Sequence, residues 1–122
     1  MEMTNPAELQ EVLKEAQRYI AALIEGAAAC AAHFEQEQDA KGMELLLQII
    51  DGLEWLMSAV RLTRPLQSNP VDPDGAADVF GEIVEGLENQ DYTLCGDLLK
   101  FELVPMLEAW QEQLDERETY IQ

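Results

Sequence analysis

Residues 9–34 read LQEVLKEAQRYIAALIEGAAACAAHF, and an apolar or small residue recurs along this stretch at intervals of alternately four and three positions. Only an α-helix brings residues at that spacing onto one side, so the stretch predicts one long helix with a continuous buried stripe. The stripe consists of Leu9, Leu13, Ala16, Ile20, Leu23, Ala27, Cys30 and Phe34. The same rhythm returns in the later periodic segments without any strand-like alternation, so the pattern predicts an all-α protein.

Capping and loop signals divide the chain into four predicted helices within a single domain. Asn5 is a typical cap for the first helix, residues 39–42 predict a short turn, and the proline-rich residues 65–73 predict the longest loop. Asn89 predicts a left-handed helix end, and Pro105 predicts a kink in the last helix. We expect an up-down-up-down four-helix bundle with a shorter third helix over residues 1–122, with helices at about 6–38, 43–63, 73–88 and 91–116.

The charge of the chain is strongly one-sided, with 25 acidic against 7 basic residues and a formal net charge of -18. This imbalance argues against nucleic acid and anionic membranes as partners, because Lys and Arg must neutralise phosphate groups. The opening residues lack the basic and apolar regions of a signal peptide, and two cysteines make no disulfide framework. The expected location is therefore the cytoplasm.

Two stretches, GLEWL at residues 52–56 and NQDYTLCGDLLKFELVPMLEAW at residues 89–110, are similar to a known pattern. They resemble a domain-of-unknown-function family of small all-helical proteins from Gram-positive bacteria. Its members share a G-L-x-W-L patch and a later D-Y-x-L-x-x-D-L-L-x-[YF]-E-L-x-P-x-L segment. The resemblance implies a helical fold and a bacterial cytoplasmic setting, and it brings no assigned activity.

The metal-ligating and nucleophilic residues form no recognisable catalytic set. His33 is the sole histidine and has no glutamate three residues before it, so the chain lacks the Glu-x-x-His pairs of a di-metal bundle. Cys30 and His33 are one helical turn apart, and the predicted topology brings Cys95 to the same end of the bundle, with Asp91 nearby as a fourth donor. These residues define an alternative zinc or redox site, whereas buried and inert thiols are the simpler interpretation. We expect no enzymatic activity and no cofactor.

Two carboxylates lie among apolar residues of the last predicted helix, Asp97 and Glu102. Their spacing places them on different sides of that helix, so they do not make an acid–base pair. We interpret both as structural polar residues. Glu102 falls between two apolar stripes, where a partly buried carboxylate needs a partner such as Arg61, Arg64 or Tyr19.

Five residues are candidates for contact with a partner. Asp78, Glu82 and Glu85 follow helical spacing and predict an acidic stripe on the third helix, which is either a solvated surface or a docking surface for a basic protein. Trp55 lies off the main stripe of the second helix, and Trp110 lies near the end of the last helix. An exposed tryptophan would mark a partner site, and a boundary aromatic at the bundle edge is the alternative.

Together these features predict a non-enzymatic cytoplasmic protein that works by protein–protein contact, as an adaptor, a small chaperone or a regulator. The expected partner is a basic protein or a second copy of the chain. Tyr120 is a further candidate aromatic anchor. Two other functions stay open: a metal or redox protein built on Cys30, His33 and Cys95, and an acidic mimic of nucleic acid that occupies the binding groove of a basic protein.

Overall fold

A computed structural model describes residues 5–115, and this part of the chain is helical without any β-strand. The prediction of an all-α fold is confirmed. The elements are α1 (Pro6–Glu35), α2 (Asp39–Leu62), a 3₁₀ turn (Arg64–Leu66), α3 (Asp74–Glu88), α4 (Tyr92–Leu98), a π turn (Leu99–Leu103) and α5 (Val104–Leu114). Among these helices, none combines the length and the apolar character that crossing a bilayer requires.

Helix α1 is the central element of the bundle. It packs along α2 and also along α4 and α5, whereas α3 packs against α4 and the π turn. Helices α1 and α2 run antiparallel, because Phe34 lies over Gly42 while Tyr19 lies over Gly52. The segment from α4 to α5 also runs antiparallel to α1, since the ring of Phe34 stacks on that of Tyr92 with centroids 5.8 Å apart, while the side chain of Gln17 donates to the carbonyl of Leu114 at 2.6 Å. This arrangement is that of an up-down-up-down bundle.

The predicted stripe of α1 is the centre of the hydrophobic core. All of its members from Leu13 to Phe34 are buried, and Leu9 is half-buried near the start of the helix. Helix α3 contributes less than its pattern predicts, because Ile83 is buried while Val79, Phe80 and Leu87 keep part of their surface exposed. The short third helix therefore covers one flank of the core and leaves much of its own surface to solvent.

The connection between α1 and α2 differs from the prediction. Residues 39–42 form the first turn of α2, and the chain reverses direction at residues 36–38, where Glu37 adopts a left-handed φ of 59°. Gly42 serves close packing instead of a turn, because the ring of Phe34 occupies the place that a Cβ would take. A glycine that permits two helices to approach each other gives the same sequence signal as a glycine in a loop.

The left-handed residue at the end of α3 is Gln90, the neighbour of the predicted Asn89. Asn89 keeps a φ of -88°, whereas Gln90 has a left-handed φ of 57°. The backbone N–H of Asp91 donates to the carbonyl of Gly86 at 2.8 Å, which closes a Schellman-type end. Three residues, 89–91, thus suffice to return the chain along α3 as α4.

The kink predicted at Pro105 is replaced by the π turn that precedes it. The N–H of Val104 donates to the carbonyl of Leu99, five residues earlier, and Pro105 follows in the first turn of α5. A π turn takes in one residue more than an α-helical turn for about the same rotation. Side chains within the turn are consequently displaced around the helix relative to the positions that a regular period predicts.

The loop between α2 and α3 is held by a buried polar side chain. The side-chain nitrogen of Gln67 donates to the carbonyl of Val60 at 2.9 Å and to the hydroxyl of Thr63 at 3.0 Å. Its side-chain oxygen accepts from the N–H of Val71 at 2.8 Å. Because Gln67, Thr63 and Val71 are all buried, these hydrogen bonds satisfy backbone groups that water does not reach.

Candidate partner-binding surface

An open groove of about 510 Å³ lies between the outer sides of α1 and α2. The antiparallel register of the two helices brings a stretch of α1 against the part of α2 that contains Trp55. The residues that line the groove are Glu15, Tyr19, Gln48, Asp51, Gly52 and Trp55. Aromatic rings and charged carboxylates thus share one concave surface.

The aromatic part of the groove is a pair of mutually supporting rings. Tyr19 and Trp55 meet edge to face, with centroids 5.6 Å apart and an interplanar angle of 82°. Gly52 makes this contact possible, because the hydroxyl of Tyr19 lies where the Cβ of any other residue would be. The side chain of Trp55 nevertheless remains 43% exposed. The indole is therefore held in place while part of it faces solvent.

The rim of the groove is acidic, with Glu15 and Asp51 both exposed. Glu15 pairs with Arg18, one helical turn away, at 3.3 Å. Because both side chains are well exposed, this ion pair contributes little to stability. Within residues 5–115, Asp51 has no hydrogen bond and no basic partner. An unpaired carboxylate beside an exposed indole is the combination that attracts an organic cation.

The acidic stripe predicted on α3 lies on the surface. Asp78, Glu82 and Glu85 are all exposed, and no Lys or Arg of the described residues pairs with any of them. Their spacing of four and three residues aligns them along the outer side of the helix. The stripe is available to solvent and to a partner alike.

Trp110 does not belong to a partner-binding surface. Its side chain is 4% exposed and packs in the core with Leu107 and Leu114. The prediction of a contact anchor at this position is wrong. The physical reason is visible in the spacing, since Leu103, Leu107, Trp110 and Leu114 recur every four or three residues and share the side of the helix that faces the core.

The interpretation of Asp97 and Glu102 as structural polar residues is also corrected. Both are exposed, and neither makes a hydrogen bond or ion pair within the described part of the chain. Glu102 lies inside the π turn, which rotates it outward from the partly buried position that an α-helical period predicts. It therefore needs none of the partners proposed for it, and Tyr19 instead packs over Gly52.

The π turn also exposes an aromatic residue that sequence reasoning did not single out. Phe101 is 63% exposed, and Leu94 on the preceding helix is exposed as well. The ammonium group of Lys100 lies 5.3 Å from the centre of the Phe101 ring and pairs with Glu35 at 2.9 Å. Phe101 thus already carries an intramolecular cation, whereas Trp55 has none among the described residues.

The two thiols are buried, and each makes its own hydrogen bond. The Cys30 Sγ donates to the carbonyl of Gly42 at 3.2 Å, and the Cys95 Sγ donates to that of Ile83 at 3.8 Å. Burial raises the pKa of Cys30 to about 12, and the neighbouring Cys95 adds to the rise. Burial likewise raises the pKa of Cys95, with a smaller contribution from Asp91. Both thiols are therefore protonated and poorly nucleophilic at neutral pH.

His33 and Asp91 have structural hydrogen bonds instead of metal-ligand geometry. The Nδ1 of His33 lies 2.7 Å from the side-chain oxygen of Gln38, and the Asp91 side chain accepts from the N–H of Leu94 as the cap of α4. Over residues 5–115, no three His, Cys, Asp or Glu side chains converge as a metal site would require. The alternative metal site built on Cys30, His33 and Cys95 is therefore not assembled among the described residues. Tyr120, the remaining aromatic candidate, lies outside the described residues.

Comparisons with known proteins identify a family and no activity. The family model described as Domain of unknown function (DUF8042) matches residues 11–113, which includes all residues that line the groove. No curated protein and no solved structure shows significant similarity to the chain. The function has to be argued from the surface itself.

Proposed function

The chain belongs to the DUF8042 family of domains of unknown function, and we propose that it is a non-enzymatic protein that binds a basic segment of a partner protein. The observation that carries this proposal is the groove between α1 and α2, where the exposed indole of Trp55 lies beside the unpaired carboxylate of Asp51. An aromatic anchor surrounded by charge is typical of a protein-binding surface.

The charge of the molecule favours a basic partner over a second copy. With a formal net charge of -18, two copies repel each other, and a positively charged protein is attracted from a distance. The acidic stripe of Asp78, Glu82 and Glu85 adds to this attraction without requiring specific contacts. The adaptor, chaperone and regulator roles all share this mode of binding, so the proposal covers each of them.

We place this activity in the cytoplasm of a Gram-positive bacterium. Support comes from the free, buried thiols of Cys30 and Cys95, since reducing compartments keep thiols unpaired. The similarity of residues 52–56 and 89–110 to proteins of such bacteria supports the same setting.

A site-specific cross-linking experiment tests the proposal. An aromatic photo-reactive amino acid, which keeps a ring at this position, replaces Trp55 in one variant and the exposed Gln111 of α5 in a control, and both are expressed in native cells. We expect adducts at position 55 with a protein that carries a Lys- and Arg-rich segment, in a yield that falls as salt is raised. Equal yields at the two positions, an acidic partner, or no adduct at position 55 would contradict the proposal.

The same experiment distinguishes the acidic mimic of nucleic acid. A mimic would occupy the nucleic-acid site of its partner, so added DNA would displace the chain from the cross-linked complex. Under the main proposal, displacement by DNA is no greater than displacement by an unrelated polyanion at the same charge concentration.

A further inference from the structure

We infer that the groove between α1 and α2 binds one cationic side chain of the partner, with an arginine preferred over a lysine. This inference rests on the proposed function and names the chemistry of the groove. The cation lies against the exposed part of the Trp55 indole and pairs with the carboxylate of Asp51. The acidic stripe on α3 then supplies only long-range attraction.

The shape of the groove suits a long side chain. Its volume of about 510 Å³ falls in the range of pockets that hold small ligands, and it opens to solvent along one side. Tyr19 and Gly52 form the floor of the groove, because the phenolic end of the tyrosine lies where a Cβ of residue 52 would be. An alkyl stem can cover this floor while its charged end reaches the acidic rim, as Lys and Arg side chains do on other proteins.

The charges of the groove favour a cation over an anion or a neutral group. Two carboxylates, Glu15 and Asp51, flank the aromatic pair, and the one basic group beside them, Arg18, pairs with Glu15 on the exposed surface. Asp51 has no counter-charge among the described residues. The negative face of an indole and a free carboxylate both favour a positive charge in the groove that they line.

The preference for arginine follows from the geometry of the guanidinium group. A planar guanidinium can stack on an aromatic face and present two parallel N–H donors to a carboxylate, whereas an ammonium group is a more strongly hydrated point charge. The chain itself places a lysine over an aromatic ring at Phe101, but that lysine is already paired with Glu35. Of these two exposed aromatic rings, Phe101 has a cation within residues 5–115 and Trp55 has none.

The test uses short labelled peptides and matched variants of the full chain. The peptide probe has nine residues with a central arginine in a Gly and Ser background and one flanking lysine on each side. A second peptide replaces the central arginine by citrulline, which keeps the shape and removes the charge, and a third replaces it by lysine. Binding is measured by fluorescence anisotropy at low salt.

The variants separate the groove from general charge. W55A and D51N remove its two contacts, and W55F keeps an aromatic ring with a weaker attraction for cations. The controls are L47A and E54Q, which change an exposed leucine and an exposed carboxylate of α2 outside the groove lining. Circular dichroism verifies that each variant remains helical.

We expect W55A to weaken binding of the arginine peptide about fivefold or more, D51N about threefold, and W55F by an intermediate factor. L47A and E54Q change it less than about twofold, and citrulline weakens binding at least as much as W55A does. If E54Q weakens binding as much as D51N, or if the citrulline peptide binds as well as the arginine peptide, the inference is wrong. A cross-linked basic partner that binds W55A as tightly as the natural chain would refute the inference and leave the proposed function standing.

Discussion

The two tryptophans of the chain show how differently the two sides of one bundle are used. Trp110 is 4% exposed and fills the interior together with leucines of α5, whereas Trp55 is 43% exposed and stands in the groove on the outer side of α2. Both rings are aromatic anchors, but one fixes the fold and the other is available to a partner. Residue type alone does not tell these roles apart, because the position of each ring around its helix decides them.

The same contrast extends to the polar groups of the two regions. In the interior, Gln67 and the two thiols each have a partner within the chain. In the groove, the carboxylate of Asp51 has no partner in the described part of the chain. The polar groups of the interior are thus satisfied within the chain, whereas the carboxylate of Asp51 faces solvent and can be reached by a partner.

Replacing the buried tryptophan should have the largest effect on stability. Trp110→Ala should lower the free energy of unfolding by about 3–5 kcal/mol, because it leaves a large cavity among buried leucines. Trp55→Ala should cost less, about 1–2 kcal/mol, because a partly exposed ring loses some buried area together with its edge-to-face contact with Tyr19. Urea denaturation measures both, and similar losses for the two variants would refute the distinction between an interior and a surface ring.

Two glutamines test the same difference between the interior and the groove. Gln67→Ala should cost about 1–3 kcal/mol, since the buried N–H of Val71 loses its acceptor. Gln48→Ala, in the groove, should change stability by less than about 0.5 kcal/mol because its side chain is exposed. The two unfolding curves under the same conditions provide the check, and an unchanged midpoint for Gln67→Ala would show that the loop is not held by this side chain.

The buried thiol of Cys30 should make the stability of the protein depend on pH. Because burial raises the pKa of Cys30 from 9.0 to about 12, the folded chain keeps a proton that the unfolded chain loses in this range. The contribution of this thiol to the free energy of unfolding is constant below pH 9. As the pH rises toward 12, the free energy of unfolding then falls by about 1.4 kcal/mol per pH unit at most.

Urea midpoints between pH 8 and pH 11 test this thiol. Cys30→Ala lacks the titrating group, so its stability should decrease less steeply with pH than that of the natural chain. Parallel pH profiles for the two proteins would mean that the thiol is not desolvated.

Two glycines give the smallest effect. Gly52→Ala adds a methyl group where the Tyr19 hydroxyl lies, and the cost of overpacking outweighs the gain in helix propensity to leave a net loss of about 1 kcal/mol. Gly81→Ala meets no atom within 4 Å and should stabilise α3 by up to about 1 kcal/mol. Thermal unfolding compares them. A stabilising Gly52→Ala would show that the tyrosine does not depend on the glycine.

Much of this fold can be predicted from the sequence, because helical periodicity carries long-range information. The ladder from Leu9 to Phe34 predicts both the long central helix and its buried side, and Asn5 marks its start, where its side chain accepts from the N–H of Ala7. The predicted order of four helical segments follows from the prolines and caps between them.

The errors have a local cause in each case. Gly42 resembles a turn residue but permits a close helix contact, and the π turn shifts the phase of the last helix so that Glu102 points outward. Neither effect is visible in the identity of the residue concerned. Both depend on neighbours that the fold brings together.

The groove could be predicted only in part. The position of Trp55 off the main stripe of α2 indicates an exposed ring, but its partner Tyr19 lies on another helix, and only the antiparallel register brings the two together. Gly52, one helical turn before Trp55, is the sequence feature that indicates the groove. A glycine at this position allows the side chain of a neighbouring helix to lie against α2. The carboxylates of the rim gain their meaning from this arrangement and from nothing in their own spacing.

The two indole N–H signals of the chain offer the most direct test of this division between interior and groove. In a two-dimensional ¹H–¹⁵N NMR titration with the arginine peptide, the signal of Trp55 should shift progressively and saturate, while that of Trp110 stays in place. A signal of Trp55 that does not move, or a peptide-dependent shift confined to Trp110, would contradict the account.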